Sequence, residues 1–319
     1  MSNKELISYN RTLIMGIAMF SIMVFHQMWF YGHVIDNFFY YYGSWGVDFF
    51  LFVSGFGIAH SLQKNKVLTF YNNRIKRIVP YCLVFGIVRA FFYYNGIHGF
   101  VPNWYPHIGL VACSLDLWYI EAIIFYYLMS PVLNRGLQKW GGYFLVVIIL
   151  VSFLYSWLPK PDFFTHWHLL KRFAWAVSRL PVFSFGLYMF QYIDNYPKRL
   201  LKYTGLFLIS LAMIQVKAPD WIGLKAYISC FVCFSVPGIC MAIADSRPVI
   251  ERLKLVPLLY WLGKNSLLIY LCHEFVYWSI FNHLTMLPGL VSFPLAITIV
   301  YILVTITNKV VNNLLYRFR

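Results

Sequence analysis

Residues 43–56 read GSWGVDFFLFVSGF, an apolar run that continues to Leu62 and contains one carboxylate, Asp48. About 20 apolar residues are enough to cross the hydrocarbon core of a bilayer as an α-helix. A charged group within such a helix is costly, and it usually faces a polar cavity or a partner. The stretch therefore predicts a transmembrane helix that directs Asp48 into the interior of a helix bundle.

The whole chain has the composition of a membrane protein. Of its 319 residues, 61% are hydrophobic and only 12% are charged, which is too apolar for a soluble domain of this size. The net charge is +15, but the basic residues fall in short clusters between apolar runs. We therefore expect topology signals and no nucleic-acid partner. The six cysteines lie mostly in apolar stretches, so no disulfide and no metal site is expected.

Ten apolar segments have roughly the length of a membrane span. They are Leu13 to Tyr31, Gly43 to Leu62, Ile78 to Tyr94, Leu115 to Leu133, Tyr143 to Leu158, Phe173 to Ile193, Tyr203 to Val216, Trp221 to Ala244, Leu258 to Phe281 and Leu287 to Thr307. Positive loops stay in the cytoplasm, and most loop lysines and arginines fall on that side when both termini are cytoplasmic. The predicted fold is an all-α polytopic membrane bundle of about ten transmembrane helices, one domain over residues 1–319.

Five ionisable residues fall at a similar depth in five different predicted spans. Measured by helix rise, His26, Asp48, Glu121, Arg179 and His273 all lie in the outer third of their spans. Any one of them could serve as a strut between helices. The shared depth instead predicts a polar site near the outer face of the membrane.

A basic cluster opens the third predicted span from the cytoplasmic side, where residues 70–80 read FYNNRIKRIVP. Arg74 and Arg77 lie one turn apart on one helical face. This spacing is also typical of ordinary positive-inside anchoring. Two guanidinium groups near a helix N-terminus suit phosphate groups, so an anion site is the functional alternative.

In chain order, these segments resemble the acyltransferase type three family, membrane O-acyltransferases that acetylate or succinylate bacterial glycans. The resemblance covers nearly the whole chain and rests on six stretches: GIA to VFH in 16–26, GSWGVDFFLFVSGF in 43–56, RIKRIVP in 74–80, LWY with Tyr126 to Pro131, RLPVFSFG in 179–186 and LGKNSLLIYLCH in 262–273. One position departs from the family pattern. Met15 stands where the family has an arginine, and Arg11 lies one turn earlier on the same helical face, where it could replace that arginine.

The resemblance implies a donor and an acceptor on opposite sides of the bacterial cytoplasmic membrane. Acetyl-CoA, or another acyl-CoA, would enter from the cytoplasm, and its phosphates would be held by Arg74 and Arg77 together with Lys76 and Arg11. A cell-surface polysaccharide or its lipid-linked precursor would present a hydroxyl from the outer side. No metal is implied.

At the outer layer we expect His26 to be the general base that takes the proton of the acceptor hydroxyl. Asp48, or alternatively Glu121, would orient the imidazole. Arg179 and the pair Trp118 and Tyr119 would stabilise the oxyanion or position the thioester. Tyr270 and His273 would line the cavity.

Three alternatives stay open at the level of the sequence. An acyl-enzyme on Ser54 or Ser266 would replace direct transfer, although neither serine has an evident activating neighbour. A proton-coupled secondary transporter or flippase for a glycan or small metabolite would also bury carboxylates and histidines, but no repeat symmetry is evident. A non-catalytic scaffold or sensor would have no need of an acyl-CoA site.

Overall fold

The computed structural model describes residues 1–27, 42–94, 118–157, 168–216, 224–283 and 289–317. The regular structure in these ranges is helical, which confirms the all-α prediction for the described part of the chain. Its α-helices are α1 Asn3–His26, α2 Gly46–Lys64, α3 Val67–Tyr94, α4 Trp118–Trp140, α5 Gly142–Trp157, α6 His168–Tyr192, α7 Lys198–Val216, α8 Leu224–Arg252, α9 Val256–Lys264, α10 Ser266–His283 and α11 Gly289–Arg317. Short 3₁₀ turns at Gly43–Trp45 and Ile193–Asn195 precede α2 and follow α6.

Each predicted span overlaps helix in the structure, with one correction. The predicted ninth span, Leu258 to Phe281, is two helices, α9 and α10, which meet at Asn265. The Asn265 side chain donates to the carbonyl of Trp261 at 2.8 Å and accepts from the Asn308 amide at 2.7 Å. This buried side chain connects the helix junction to α11.

Four candidate membrane spans in the described residues are long and apolar enough, by length and composition, to cross a bilayer. They are Asn3–His26, Gly43–Lys64, Phe231–Arg252 and Val291–Asn313. These spans fit a multi-pass membrane protein. The number of ten crossings, the cytoplasmic termini and the single domain stay predictions.

Close packing of α2 against α6 sets the position of the carboxylate in the opening motif. A side chain at Gly55 would collide with the carbonyl oxygen of Phe183, and Gly186 makes the reciprocal approach to α2. Small residues allow helices in a membrane to approach closely. Asp48 on α2 consequently lies within ion-pair distance of Arg179 on α6.

A second close contact joins α1 to α9. Gly16 lies against the backbone of Leu259, and Gly263 lies against the backbone of Thr12. Because α10 begins directly after α9, this contact sets the register of α1 relative to α10. The two helices also contact each other, and they carry the two histidines predicted to lie at a common depth.

Candidate active site

The histidines of α1 and α10 form a direct pair. Nδ1 of His26 lies 2.9 Å from Nε2 of His273. On the other side of its ring, Nδ1 of His273 lies 2.8 Å from the carbonyl oxygen of Ile269 and 3.1 Å from that of Tyr270. His273 is completely buried, whereas His26 is half-buried. His26 therefore contacts the imidazole of His273, which we expected only to line the cavity.

The carboxylate expected to orient His26 has a partner of its own. Asp48 is buried, and its Oδ1 lies 3.3 Å from Nε of Arg179. The guanidinium carbon of Arg179 also lies 4.9 Å from the centre of the Trp118 ring. Glu121, the alternative orienting group, lies in the first turn of α4, one turn beyond Trp118. The structure therefore brings Asp48, Arg179 and Trp118 together as one cluster.

A cavity runs between the helices on one side of this layer. Arg11 and Arg77 line one end, and Tyr119 and Tyr270 line the other. On α4, the lining residues Tyr119 and Tyr127 are eight residues apart, which is about 12 Å by helix rise.

The tyrosine end of the cavity lies beside the histidine pair. The rings of Tyr119 and Tyr270 have their centres 4.8 Å apart, and the Tyr270 ring lies 5.8 Å from that of His273. One aromatic ring therefore separates the cavity from His273, which in turn contacts His26. The cavity therefore extends from Arg77 to that aromatic ring.

The opposite end of the cavity is strongly cationic. Arg11, Arg74 and Arg77 are close enough to repel one another electrostatically. Arg74 does not line the cavity itself but lies over the rings of Phe70, at 5.2 Å, and Tyr127, at 5.5 Å. Among the ion pairs of the described residues, none includes any of these three arginines. Such a cluster is suited to bind an anion.

The other predicted phosphate ligand lies elsewhere. Lys76 is exposed on α3 and does not line the cavity. Helical geometry explains the difference, because neighbouring residues of a helix point about 100° apart. The cavity lies on the side of α3 that carries Arg77 and Ile78, and Lys76 lies outside that side.

Several residues that shape the site were not predicted to do so. Tyr127 lines the cavity and supports Arg74, while Gly57 leaves room for the guanidinium of Arg11. Ser54 and Ser266, the alternative nucleophiles considered from the sequence, also line the cavity, and Ser54 hydrogen-bonds Tyr119. The spacing of eight residues between Tyr127 and Tyr119 places their side chains about 80° apart around the helix, so spacing alone gave only a weak signal for Tyr127. The contact between Gly57 and Arg11 depends on the register of α1 against α2, which cannot be predicted from the sequence.

These features define a class of protein: a multi-pass membrane protein whose helices enclose a pocket with a cationic end and a histidine pair beside its other end. The acyltransferase domain family matches residues 13–308, nearly the whole chain. The chain therefore belongs to the acyltransferase type three family, which confirms the resemblance seen in the sequence. No curated protein and no solved structure matches the chain. In the part of the chain described above, no group of three His, Cys, Asp or Glu could hold a metal ion.

Proposed function

We propose that this membrane acyltransferase transfers an acyl group, with acetyl favoured, from cytoplasmic acyl-CoA to a hydroxyl of a cell-surface polysaccharide or its lipid-linked precursor. The proposed location is the bacterial cytoplasmic membrane. Family membership supports acyl transfer. The observation that carries the choice of donor is the cavity, which has arginines at one end and ends beside the histidine pair at the other.

The charge of the cavity supports a CoA thioester as donor. Arg11, which is partly buried, and Arg77, which is exposed, line it without a carboxylate partner among the described residues, and two such guanidinium groups are suited to bind an anion. The phosphates of CoA supply such anions, and the uncharged pantetheine arm would lie along the part of the cavity lined by Tyr127 and Tyr119. Succinyl-CoA has the same phosphates and arm, so the cavity favours the CoA portion and not one acyl group.

The reaction assigned to the histidine layer is a direct transfer. The acceptor oxygen attacks the thioester carbonyl carbon while His26 takes the hydroxyl proton. The new C–O bond forms, the C–S bond breaks, and the departing CoA sulfur receives the proton from His26. Arg179, held by Asp48, is the proposed stabiliser of the oxyanion.

A reconstituted transfer assay tests this proposal. The purified protein is placed in proteoliposomes with labelled acetyl-CoA or succinyl-CoA on the arginine side and candidate glycans on the other. We expect His26→Ala to abolish transfer while acyl-CoA still binds, because the base is lost and the cationic end is intact. Arg77→Ala and Arg74→Ala should weaken acyl-CoA binding itself.

Arg135→Ala is the matched control for loss of one positive charge, because Arg135 is exposed at the far end of α4 and lies outside the cavity. It should bind acyl-CoA and transfer the acyl group like the parent. Full transfer by His26→Ala would remove the proposed base. Uptake of the glycan with no acyl product would favour the transporter alternative, and absence of acyl-CoA binding would favour a scaffold.

A further inference from the structure

The hydrogen bonds around His273 determine which of its nitrogens carries a proton. A backbone carbonyl only accepts hydrogen bonds, so the nitrogen that lies 2.8 Å from the Ile269 carbonyl must be protonated. That atom is Nδ1. In a neutral imidazole the other nitrogen, Nε2, then carries the lone pair and accepts. His273 is completely buried within the bundle, where a charged ring would be costly.

The same reasoning determines which ring nitrogen of His26 carries a proton. Nε2 of His273 accepts, so Nδ1 of His26, at 2.9 Å, donates to it. The Ile22 carbonyl, one helical turn before His26, also hydrogen-bonds this ring and likewise requires a protonated nitrogen. Nδ1 is the ring nitrogen nearest the backbone. In a neutral His26 ring the lone pair therefore resides on Nε2, the nitrogen remote from His273.

We infer that His273 is the positioning residue of the proposed reaction: it fixes His26 in the tautomer whose Nε2 accepts the proton of the acceptor hydroxyl. The catalytic part of this inference rests on the proposed function, whereas the tautomer itself does not. A neutral imidazole, anchored by the backbone of α10, here takes the place of the carboxylate that usually orients a histidine base.

The hydrogen bond to His273 also stabilises the protonated form of His26. After proton transfer His26 carries hydrogens on both nitrogens, and its Nδ1 continues to donate to His273. His273 cannot pass its own proton onward, because the carbonyls of Ile269 and Tyr270 bind that hydrogen without becoming protonated. The proton therefore stays on Nε2 of His26 until the CoA sulfur removes it.

Two substitutions distinguish a role of His273 in orienting His26 from a role in packing alone. His273→Phe keeps a ring but removes the acceptor, and we expect kcat to fall on the order of 100-fold with an unchanged KM for acyl-CoA. In His273→Gln the amide oxygen reaches the position of Nε2 and accepts from His26, so most of kcat should return. Parent-like kcat in His273→Phe would overturn the inference, as would equal losses in both variants while acyl-CoA binding persists.

The tautomer can be measured without any turnover. Nitrogen NMR of the full chain, labelled with ¹⁵N-histidine in nanodiscs near neutral pH, distinguishes protonated from unprotonated ring nitrogens. Signals missing from His26→Ala identify His26. We expect a protonated Nδ1 and an unprotonated Nε2 in the parent, and increased protonation of Nε2 in His273→Phe. A parent protein with His26 protonated on Nε2 alone would refute the inference. This measurement needs no substrate. It therefore tests the tautomer of His26 even if the transfer assay fails.

Discussion

Asp48 and Arg179 form an ion pair between α2 and α6, with Oδ1 of the carboxylate 3.3 Å from Nε of the guanidinium. Asp48 is buried and Arg179 is partly buried, so removal of the carboxylate leaves a partly desolvated charge without its partner, at a cost of about 1–3 kcal/mol. We expect Asp48→Ala to lower the unfolding temperature of the purified protein markedly. The double variant Asp48→Ala with Arg179→Leu should recover most of that loss. A double-mutant cycle measured by thermal unfolding tests this, and additive losses would show that the two side chains do not interact.

Tyr126 joins α4 to α6 and belongs to a stretch that resembles the family pattern. Its hydroxyl donates to the Ala176 carbonyl at 2.5 Å, and its ring stacks on Phe183 at a centroid distance of 4.9 Å. Tyr126→Phe should lower the free energy of unfolding by about 1 kcal/mol and leave acyl transfer nearly unchanged. Tyr143→Phe is the control, because Tyr143 is 86% exposed. Loss of transfer at unchanged stability would instead assign the Tyr126 hydroxyl a role in the reaction.

The positions of the helices could largely be predicted from hydrophobic segment length. The division of the ninth predicted span does not follow from segment length, although the stretch GKNS at residues 263–266 interrupts the apolar run at the junction. The helix junction there involves a hydrogen bond between Asn265 and Asn308, 43 residues apart. A contact of this kind depends on how α11 packs, and segment length carries no information about it.

At the site, the depth of the ionisable residues could be predicted from the sequence, but the contacts between them depend on helix packing. Helix rise places His26, His273, Asp48 and Arg179 at a common level, but it does not say which of them face one another. The direction of each side chain around its helix is set by close contacts such as that of Gly55 with α6. The His26–His273 pair and the Asp48–Arg179 pair therefore emerge only from the structure.

Arg11 is expected to bind the donor from a position one turn below Met15, where the family has its arginine. Both residues line the same cavity. Arg11→Met should raise the Kd for acetyl-CoA about 10- to 100-fold, the usual worth of a charge-assisted hydrogen bond. Adding Met15→Arg should restore much of the affinity, because the new guanidinium enters the cavity from the same helical face. Calorimetric titration measures both, with Arg135→Met as the control, and parent-like affinity in Arg11→Met would exclude Arg11 from the donor site.

Gly57 on α2 is expected to control donor affinity through the space that it leaves for Arg11. A Cβ atom at position 57 would lie 3.2 Å from Cζ and 3.3 Å from Nη2 of Arg11, so a larger side chain must displace the guanidinium. Gly57→Val should therefore raise the Kd for acetyl-CoA roughly tenfold, equivalent to about 1.4 kcal/mol, and Gly57→Ala should raise it less. Alanine also favours helix more than glycine does, so weaker binding by Gly57→Ala cannot be ascribed to a lost helix. Gly142→Ala is the matched control, because the nearest atom to its added Cβ is 3.8 Å away. Unchanged affinity in Gly57→Val would mean that the position of the Arg11 guanidinium does not matter for donor binding.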